Sequence, residues 1–380
     1  MVDLTRRTFL TALGGGTAAA ATLRVPFAGR ALAASDTAAA SKPADSAIRL
    51  DANENAYGPS PRVRQAIGEA IAQAHRYPGD VRREFLEQVA KMHGVSTDQV
   101  LIGCGSVEIL QAAAHAFTGL SKKLVMAWPT FEVIGDVAEK LGTQVVRVPL
   151  AKDFAHDLSA MRTNISDETG LVYVCNPNNP TASLTPRGDL DQLISKLPPQ
   201  TFLMVDEAYH HFAADSRDYA SFLNRPAGNE RVIVVRTFSK VYGLAGMRLG
   251  YAIASPGTIE RMRPWLGLGN ANIAILHGAM TALKDEEAMR FSVRRNAADR
   301  AKFIKQAQLR KLSPIPSYAN FAMMDVGRPV AEVIEYFKRR DILVGRPFPP
   351  LNNHLRVTFG RPEEMKAFWR AWDQLPSLAG

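Results

Sequence analysis

The stretch VIVVRTFSKVYGLAGMRLGYAIA, residues 232–254, carries one lysine, Lys240, just past a β-branched run, with Arg248 eight residues later among glycines. A β-branched run of this kind reads as a buried strand. Lys240 is therefore delivered by a strand end into a turn, where an amine can act as nucleophile or base. Three other apolar runs end in the same manner. VYVCNPNNPTASLTP presents Asn179 between Pro177 and Pro180, whose restricted backbones hold the loop extended. LMVDEAYHHF closes on Asp206, with Tyr209 three residues on, and a carboxylate ending an apolar run is costly without a cationic partner. VLIGCGSVEILQAAAHAF passes through Gly103-Cys104-Gly105-Ser106 into an amphipathic helix, so the amides near Gly105, Ser106 and Val107 stand at a helix N-terminus that can take an anion. Glu108 occupies the position where a dinucleotide fingerprint needs its third glycine, so one phosphate fits this turn better than a pyrophosphate.

Each residue alone has an ordinary explanation as a loop asparagine, a capping aspartate or a solvated lysine. Together an anion cup, a rigid asparagine, a strand-end acid and a strand-end lysine meet the needs of one cofactor. Pyridoxal phosphate requires a lysine for its Schiff base, an acid to keep its ring nitrogen protonated and a site for its phosphate. Thr237 and Ser239 flank the lysine and can cradle that phosphate, and Arg248 offers a bidentate fork. Gly243 and Gly246 are expected to bring backbone and arginine close to the anion. His210 and His211 are expected to be packing or interface residues.

The elements that position these residues alternate. Seven short β-branched runs, QVLIG, KLVMA, TQVVRVP, GLVYVCN, TFLMVDEA, RVIVVRTF and RLGYAIA, are separated by helix-length segments. This predicts an α/β fold with a mostly parallel seven-stranded sheet flanked by helices. Ligands of such sheets gather at the carboxyl ends of the strands. Beyond the long helical stretch from Ile273 to Leu312, YANFAMMDV, ILVGRP and HLRVTFG predict a smaller α+β domain. The segment IRLDANENAYGPSP reads as irregular. The expected divisions are 1–34, 35–74 as a leader and a segment packing with the small domain, 75–290 as the cofactor-binding domain, and 291–380 as the small domain.

Residues 1–34 carry Arg6 and Arg7, then Phe9 and Leu10, a weakly apolar Ala/Gly stretch and the small-residue run Ala31-Leu32-Ala33. The pattern resembles a twin-arginine signal peptide and predicts a periplasmic or otherwise exported protein that meets the twin-arginine translocation machinery. Without those residues the formal charge falls from +9 to +6, the segment holding four arginines and one aspartate. That balance permits an acidic small-molecule substrate and does not call for nucleic acid. Two cysteines, Cys104 and Cys175, are too few for a disulfide framework, and both are expected to be buried free thiols in the cofactor cleft. No metal-ligand motif occurs.

On the stretches LDANENAYGPSP, RYPGD, CGSVEIL, WPTFEVI, NPNNPTA, VDEAYHHF, TFSKVYGLAGMRLGY, NFAMM and HLRVTFG, the chain resembles the fold-type I pyridoxal-phosphate aminotransferases, and among them the histidinol-phosphate aminotransferase family. These stretches cover almost all of residues 46–363 in order. The resemblance implies an aspartate aminotransferase-like large domain and an aminotransferase acting between an amino acid or a histidinol-phosphate-like amine and a 2-oxo acid such as 2-oxoglutarate. It implies that Lys240 carries the cofactor and moves the substrate proton, with its pKa lowered beside Arg248 and the cofactor. Asp206 would pair with the ring nitrogen, Asn179 and Tyr209 with the phenolic oxygen, and Phe131 would stack on the ring. Gly105, Ser106, Val107, Thr237, Ser239 and Arg248 would hold the phosphate. Tyr77 would cross a homodimer interface to the partner's phosphate, Arg356 would clamp the substrate carboxylate, and Asn55 would lie on the segment covering the substrate.

The chain departs from the family pattern at two places. Ala182 stands where the family has glycine after Asn-Pro-Thr, and Gly345-Arg346 follows the ILV strand where the family has its second substrate arginine directly. Arg346 is nonetheless expected to bind substrate, and its displacement bears on recognition of a phosphate ester. A decarboxylase or lyase on the same scaffold, and a non-catalytic exported binding protein, are the competing expectations.

Overall fold

The computed structural model describes residues 47–224, 230–267 and 271–376. The twin-arginine reading of residues 1–34, with Arg6 and Arg7, lies outside the described residues.

Each of the seven β-branched runs forms a strand of one sheet: β2 (Val100–Gly103), β3 (Lys123–Trp128), β4 (Val145–Pro149), β5 (Thr169–Cys175), β6 (Phe202–Asp206), β7 (Val232–Thr237) and β8 (Gly250–Ile253). Their order is β2-β8-β7-β6-β5-β3-β4. Only β8 runs against its neighbours β2 and β7, so the remaining six point their carboxyl ends to one edge. β5 is buried at all seven positions, as expected of a central strand covered by helices on both faces. One face packs Leu101, Ile109, Leu110, Met126 and Tyr173 beneath the helix Gly105–Phe117. The other packs Val125, Val172, Leu190, Leu193 and Val205.

The irregular reading of IRLDANENAYGPSP needs correction at its start. Ile48–Leu50 form β1, which pairs in parallel with β10 (Ile342–Val344). Three residues without alternation carry too little periodicity to be read as a strand, and the pairing partner lies almost 300 positions away. β9 (Phe321–Asp325) and β11 (His354–Thr358) form a separate antiparallel pair. Around them Phe303, Phe337, Phe368 and Trp369 build a second, aromatic core. The expected junction at 290/291 falls inside one continuous helix, Glu286–Leu309, whose first turn is capped by Asp285. The N-terminal segment is tied to this helix by Tyr57, which donates to Asp299 at 2.8 Å.

Candidate active site

Adjacent strands β5, β6 and β7 end at Cys175, Asp206 and Thr237, and a cavity of about 660 Å³ lies against these ends. Asp206 is 2% exposed. Its Oδ1 accepts from the Ala208 amide at 3.1 Å and its Oδ2 from the Tyr173 phenol at 3.0 Å. Burial pushes the carboxyl up to about 6, while those two bonds and Lys240 act in the opposite direction. Lys240 Nζ donates to the Asn53 carbonyl at 3.0 Å and stands 5.5 Å from the centre of the Tyr209 ring. Its pKa is lowered to about 8, first by burial, next by Arg356, and last by Arg248. Arg248 thus contributes less to the lowering than the sequence suggested, because the Arg356 guanidinium acts on the amine more strongly.

At one end of the cavity Ser106, Val107, Thr237, Ser239 and Arg248 come together. Thr237 donates to Ser239 Oγ at 2.9 Å, and the Ser239 amide donates back to Thr237 Oγ1 at 3.1 Å. Gly105 has φ 73°, and a Cβ there would collide with the Arg248 guanidinium. A Cβ on Gly250 would lie 2.5 Å from the Ser106 nitrogen. These two glycines bring backbone and arginine together, which corrects the expectation placed on Gly243 and Gly246. Gly243 instead packs against the Gly58 backbone, and Gly246 has open space around it.

At the other end Arg356 donates to Asn179 Oδ1 at 2.7 Å and to the Asp51 carbonyl. Its Nε is buried without a hydrogen-bond partner among the described residues. Burial lowers its pKa to about 10. Phe131 is half-buried on the cavity wall, and Arg346 lines the same space, paired with Glu132. The cavity therefore gathers all the expected side chains except Asn55 and Tyr77, with Gly105 behind Arg248. Asn55 donates its amide to the Lys240 and Val241 carbonyls at 3.3 and 3.1 Å and so fixes the lysine turn from behind. Tyr77 is fully exposed.

Two residues on the site escaped the sequence reading. Asn53, two positions before Asn55, takes a left-handed backbone with φ 54° and donates to the Tyr209 hydroxyl at 3.1 Å. Tyr173 lies within β5, where a tyrosine in a buried run signals packing. Cys104 corrects another expectation: Cys175 is buried on the cavity wall, but Cys104 is exposed. It sits at the turn before the helix, its amide held by Glu108 at 2.6 Å. His210 and His211 lie with ring centres 3.6 Å apart and planes tilted by 46°, beside buried Arg236, as packing residues do.

The model of the family "Aminotransferase class I and II" matches residues 45–371. Histidinol-phosphate aminotransferase of Symbiobacterium thermophilum is 36% identical over 85% of this chain and 89% of its own. An aromatic amino acid aminotransferase of Rhodococcus jostii is 33% identical over 85% and 88%. The crystal structure of histidinol-phosphate aminotransferase from Sinorhizobium meliloti in complex with pyridoxal-5'-phosphate superposes with a TM-score of 0.81, at 27% identity, covering 86% of this chain and 90% of that one. The residues fit that cofactor. A buried acid faces the cavity, Gly105 leaves room for Arg248 at an anion cup, and the Arg356 guanidinium keeps an unpartnered buried nitrogen. The chain belongs to the class I and II aminotransferases and is a pyridoxal-phosphate-dependent aminotransferase with an aspartate aminotransferase-like fold.

Proposed function

We propose that the protein moves an amino group between an amino acid, or a histidinol-phosphate-like amine, and a 2-oxo acid such as 2-oxoglutarate. The observation that carries this reading is the placement of the Lys240 amine in one cavity between the Arg248 cup and the Arg356 guanidinium, with Asp206 in the same wall. Pyridoxal phosphate supplies the electron sink for the amino acid's α-carbon. Asp206 would face its ring nitrogen, Asn179 and Tyr209 its phenolic oxygen, and Phe131 its ring. Gly105, Ser106, Val107, Thr237, Ser239 and Arg248 would hold its phosphate. Arg356 would orient the substrate carboxylate. Freed by substrate, Lys240 would take the α-proton at its Nζ, and a pKa near 8 leaves a usable fraction of free amine at mildly alkaline pH. Two of the relatives are named for histidinol phosphate and for aromatic amino acids, which supports an amine substrate of either kind.

The exposure of Tyr77 supports a homodimer in which it reaches the partner's phosphate. The paired arginines support export by the twin-arginine machinery, tested by cell fractionation of an Arg6→Lys, Arg7→Lys variant. For the reaction, the holoenzyme is incubated with amino donors and 2-oxoglutarate while glutamate and carbon dioxide are both measured. Glutamate formation that is lost in Lys240→Ala is expected. Carbon dioxide release without glutamate would reject amino transfer in favour of decarboxylation.

A further inference from the structure

Three arginines line the cavity, and among the described residues they differ in one respect: Arg248 and Arg356 donate to neutral oxygens, whereas Arg346 is paired with a carboxylate. Arg346 stands one residue beyond the position where the resemblance puts the second substrate arginine. That position is Gly345, and a Cβ there would lie 2.9 Å from both the Cβ and the carbonyl oxygen of Arg356. A longer side chain at 345 would run into the Arg356 backbone. Displaced to 346, the guanidinium pairs with Glu132, donates to the Pro347 carbonyl at 2.8 Å and lies 4.3 Å over the Phe348 ring. The same ring carries Arg356 at 4.6 Å.

Glu132 thus takes Nη2 and the Pro347 carbonyl takes Nη1, the two nitrogens that an anionic side chain would need. A phosphate or second carboxylate entering here would have to displace Glu132 and then share the site with it, losing the pairing and gaining like-charge repulsion. Lys338 adds a cation at the exposed rim, and the Arg346 side chain is itself half-exposed, so both charges are partly screened until a substrate covers them. Phe131, Ile334, Leu343, Val344 and Phe348 give the same cavity an apolar lining. We infer that Glu132 is a specificity-determining residue: by pairing with Arg346 it makes the side-chain pocket favour uncharged aromatic or large aliphatic donors over phosphate esters and dicarboxylic amino acids, so that 2-oxoglutarate and glutamate still react there but as the more weakly bound pair. This rests on the aminotransferase reading and narrows its substrate class.

Single-turnover measurements on the holoenzyme, following the cofactor absorbance as each amine donates its nitrogen, need no oxo acid. Phenylalanine is compared with glutamate and with histidinol phosphate. The wild type is expected to prefer phenylalanine. Glu132→Gln should move the ratio of rate constants toward the two anionic donors by about tenfold, the effect of one charge-assisted contact. Adding Arg346→Gln should return the ratio to within about threefold of the wild type, as a coupled pair requires. Glutarate, which has no amino group to give, should bind about tenfold more tightly to Glu132→Gln by calorimetry. A wild type that prefers the anionic donors, or a shift below threefold in both the rate ratio and glutarate affinity, overturns the inference. If no amine changes the cofactor absorbance, the aminotransferase reading fails, and the glutarate titration still decides the role of Glu132.

Discussion

Asp206 permits a quantitative test, because the charge proposed to face the cofactor is a burden on the chain that lacks it. Its carboxyl is 2% exposed and its pKa is raised from 3.8 to about 6, chiefly by burial. That difference corresponds to about 3 kcal/mol of folding free energy lost when the group must be ionised. The folded-state value is the higher one. The carboxyl therefore costs nothing below pH 3.8, costs progressively more as pH rises through the interval to about 6, and costs a constant amount above it. Asp206→Asn removes the charge and keeps an oxygen that can accept from Tyr173 or Ala208. Cofactor-stripped Asp206→Asn is expected to exceed the wild type in stability by up to about 3 kcal/mol at pH 7.5, and by about a third of that at pH 4.5. Its affinity for pyridoxal phosphate should fall by about a hundredfold or more, since an amide oxygen can accept from a protonated ring nitrogen but carries no charge to balance it. Urea denaturation at the two pH values, with fluorescence titration of the cofactor, measures both. A less stable Asp206→Asn at pH 7.5, or a stability difference equal at both pH values, would refute the reasoning.

Tyr173→Phe removes the phenol that donates to Asp206 at 3.0 Å and helps keep the carboxyl ionised. The acid should become weaker still, so cofactor affinity should drop about tenfold, and more at pH 6 than at pH 8; a loss independent of pH would contradict this. Gly105→Ala puts a methyl against the Arg248 guanidinium at φ 73° and should weaken cofactor binding by about tenfold or more. Gly246→Ala, with open space around it, should leave that affinity within about twofold. Equal losses in the two variants would remove the case for the Gly105 cradle. Ala182 holds φ 60° although it has a Cβ, so Ala182→Gly trades about 1–2 kcal/mol of backbone strain against about 0.5–1 kcal/mol of chain entropy. Thermal unfolding should show anything from no change to a gain of about 1.5 kcal/mol, and a measurable loss would refute the strain assigned to the left-handed backbone.

The sheet was legible because every strand is a short β-branched run between helical segments, and strand ends are where polar residues interrupt such runs. Lys240, Asp206, Asn179 and the Gly105 turn all belong to that pattern. Tyr173 does not, and its role depends on register. Cys175 lies opposite Asp206 in the β5–β6 pairing, and Tyr173, two residues back, shares its face and reaches the carboxylate diagonally. Local sequence contains no trace of that alignment. Asn53 was missed for a related reason: it is buried between elements more than 150 positions away, donating to Tyr209 and receiving Thr358 on its own side-chain oxygen. The partner of Arg346 is separated from it by 214 positions, so the displaced arginine could be read but not its neutralisation. The exposure of Cys104 likewise follows from which side of the turn faces solvent, which neighbouring residue types do not decide.

The costs in this molecule are concentrated where those distant elements meet. Three non-glycine residues with left-handed backbones, Asn53, Ala182 and Arg248, lie at or beside the cavity. Asparagine tolerates that region, but an alanine or arginine there forfeits about 1–2 kcal/mol. Asp206, Lys240 and Arg356 are all shifted toward their neutral forms, in each case first by burial. Strain and desolvation on this scale persist only where the surroundings over-determine the geometry. Here β5 and β6 are buried along nearly their whole length, and the aromatic core of Phe303, Phe337, Phe368 and Trp369 fixes the strands that bring in Arg356. The fold thus keeps an acid, an amine and a guanidinium close together and poorly solvated. That state raises the affinity of the cavity for a ligand carrying the complementary charges: a ring cation for Asp206 and a carboxylate for Arg356. Substitutions that relax the site are accordingly expected to raise stability and lower ligand affinity together, and Asp206→Asn is the most direct instance.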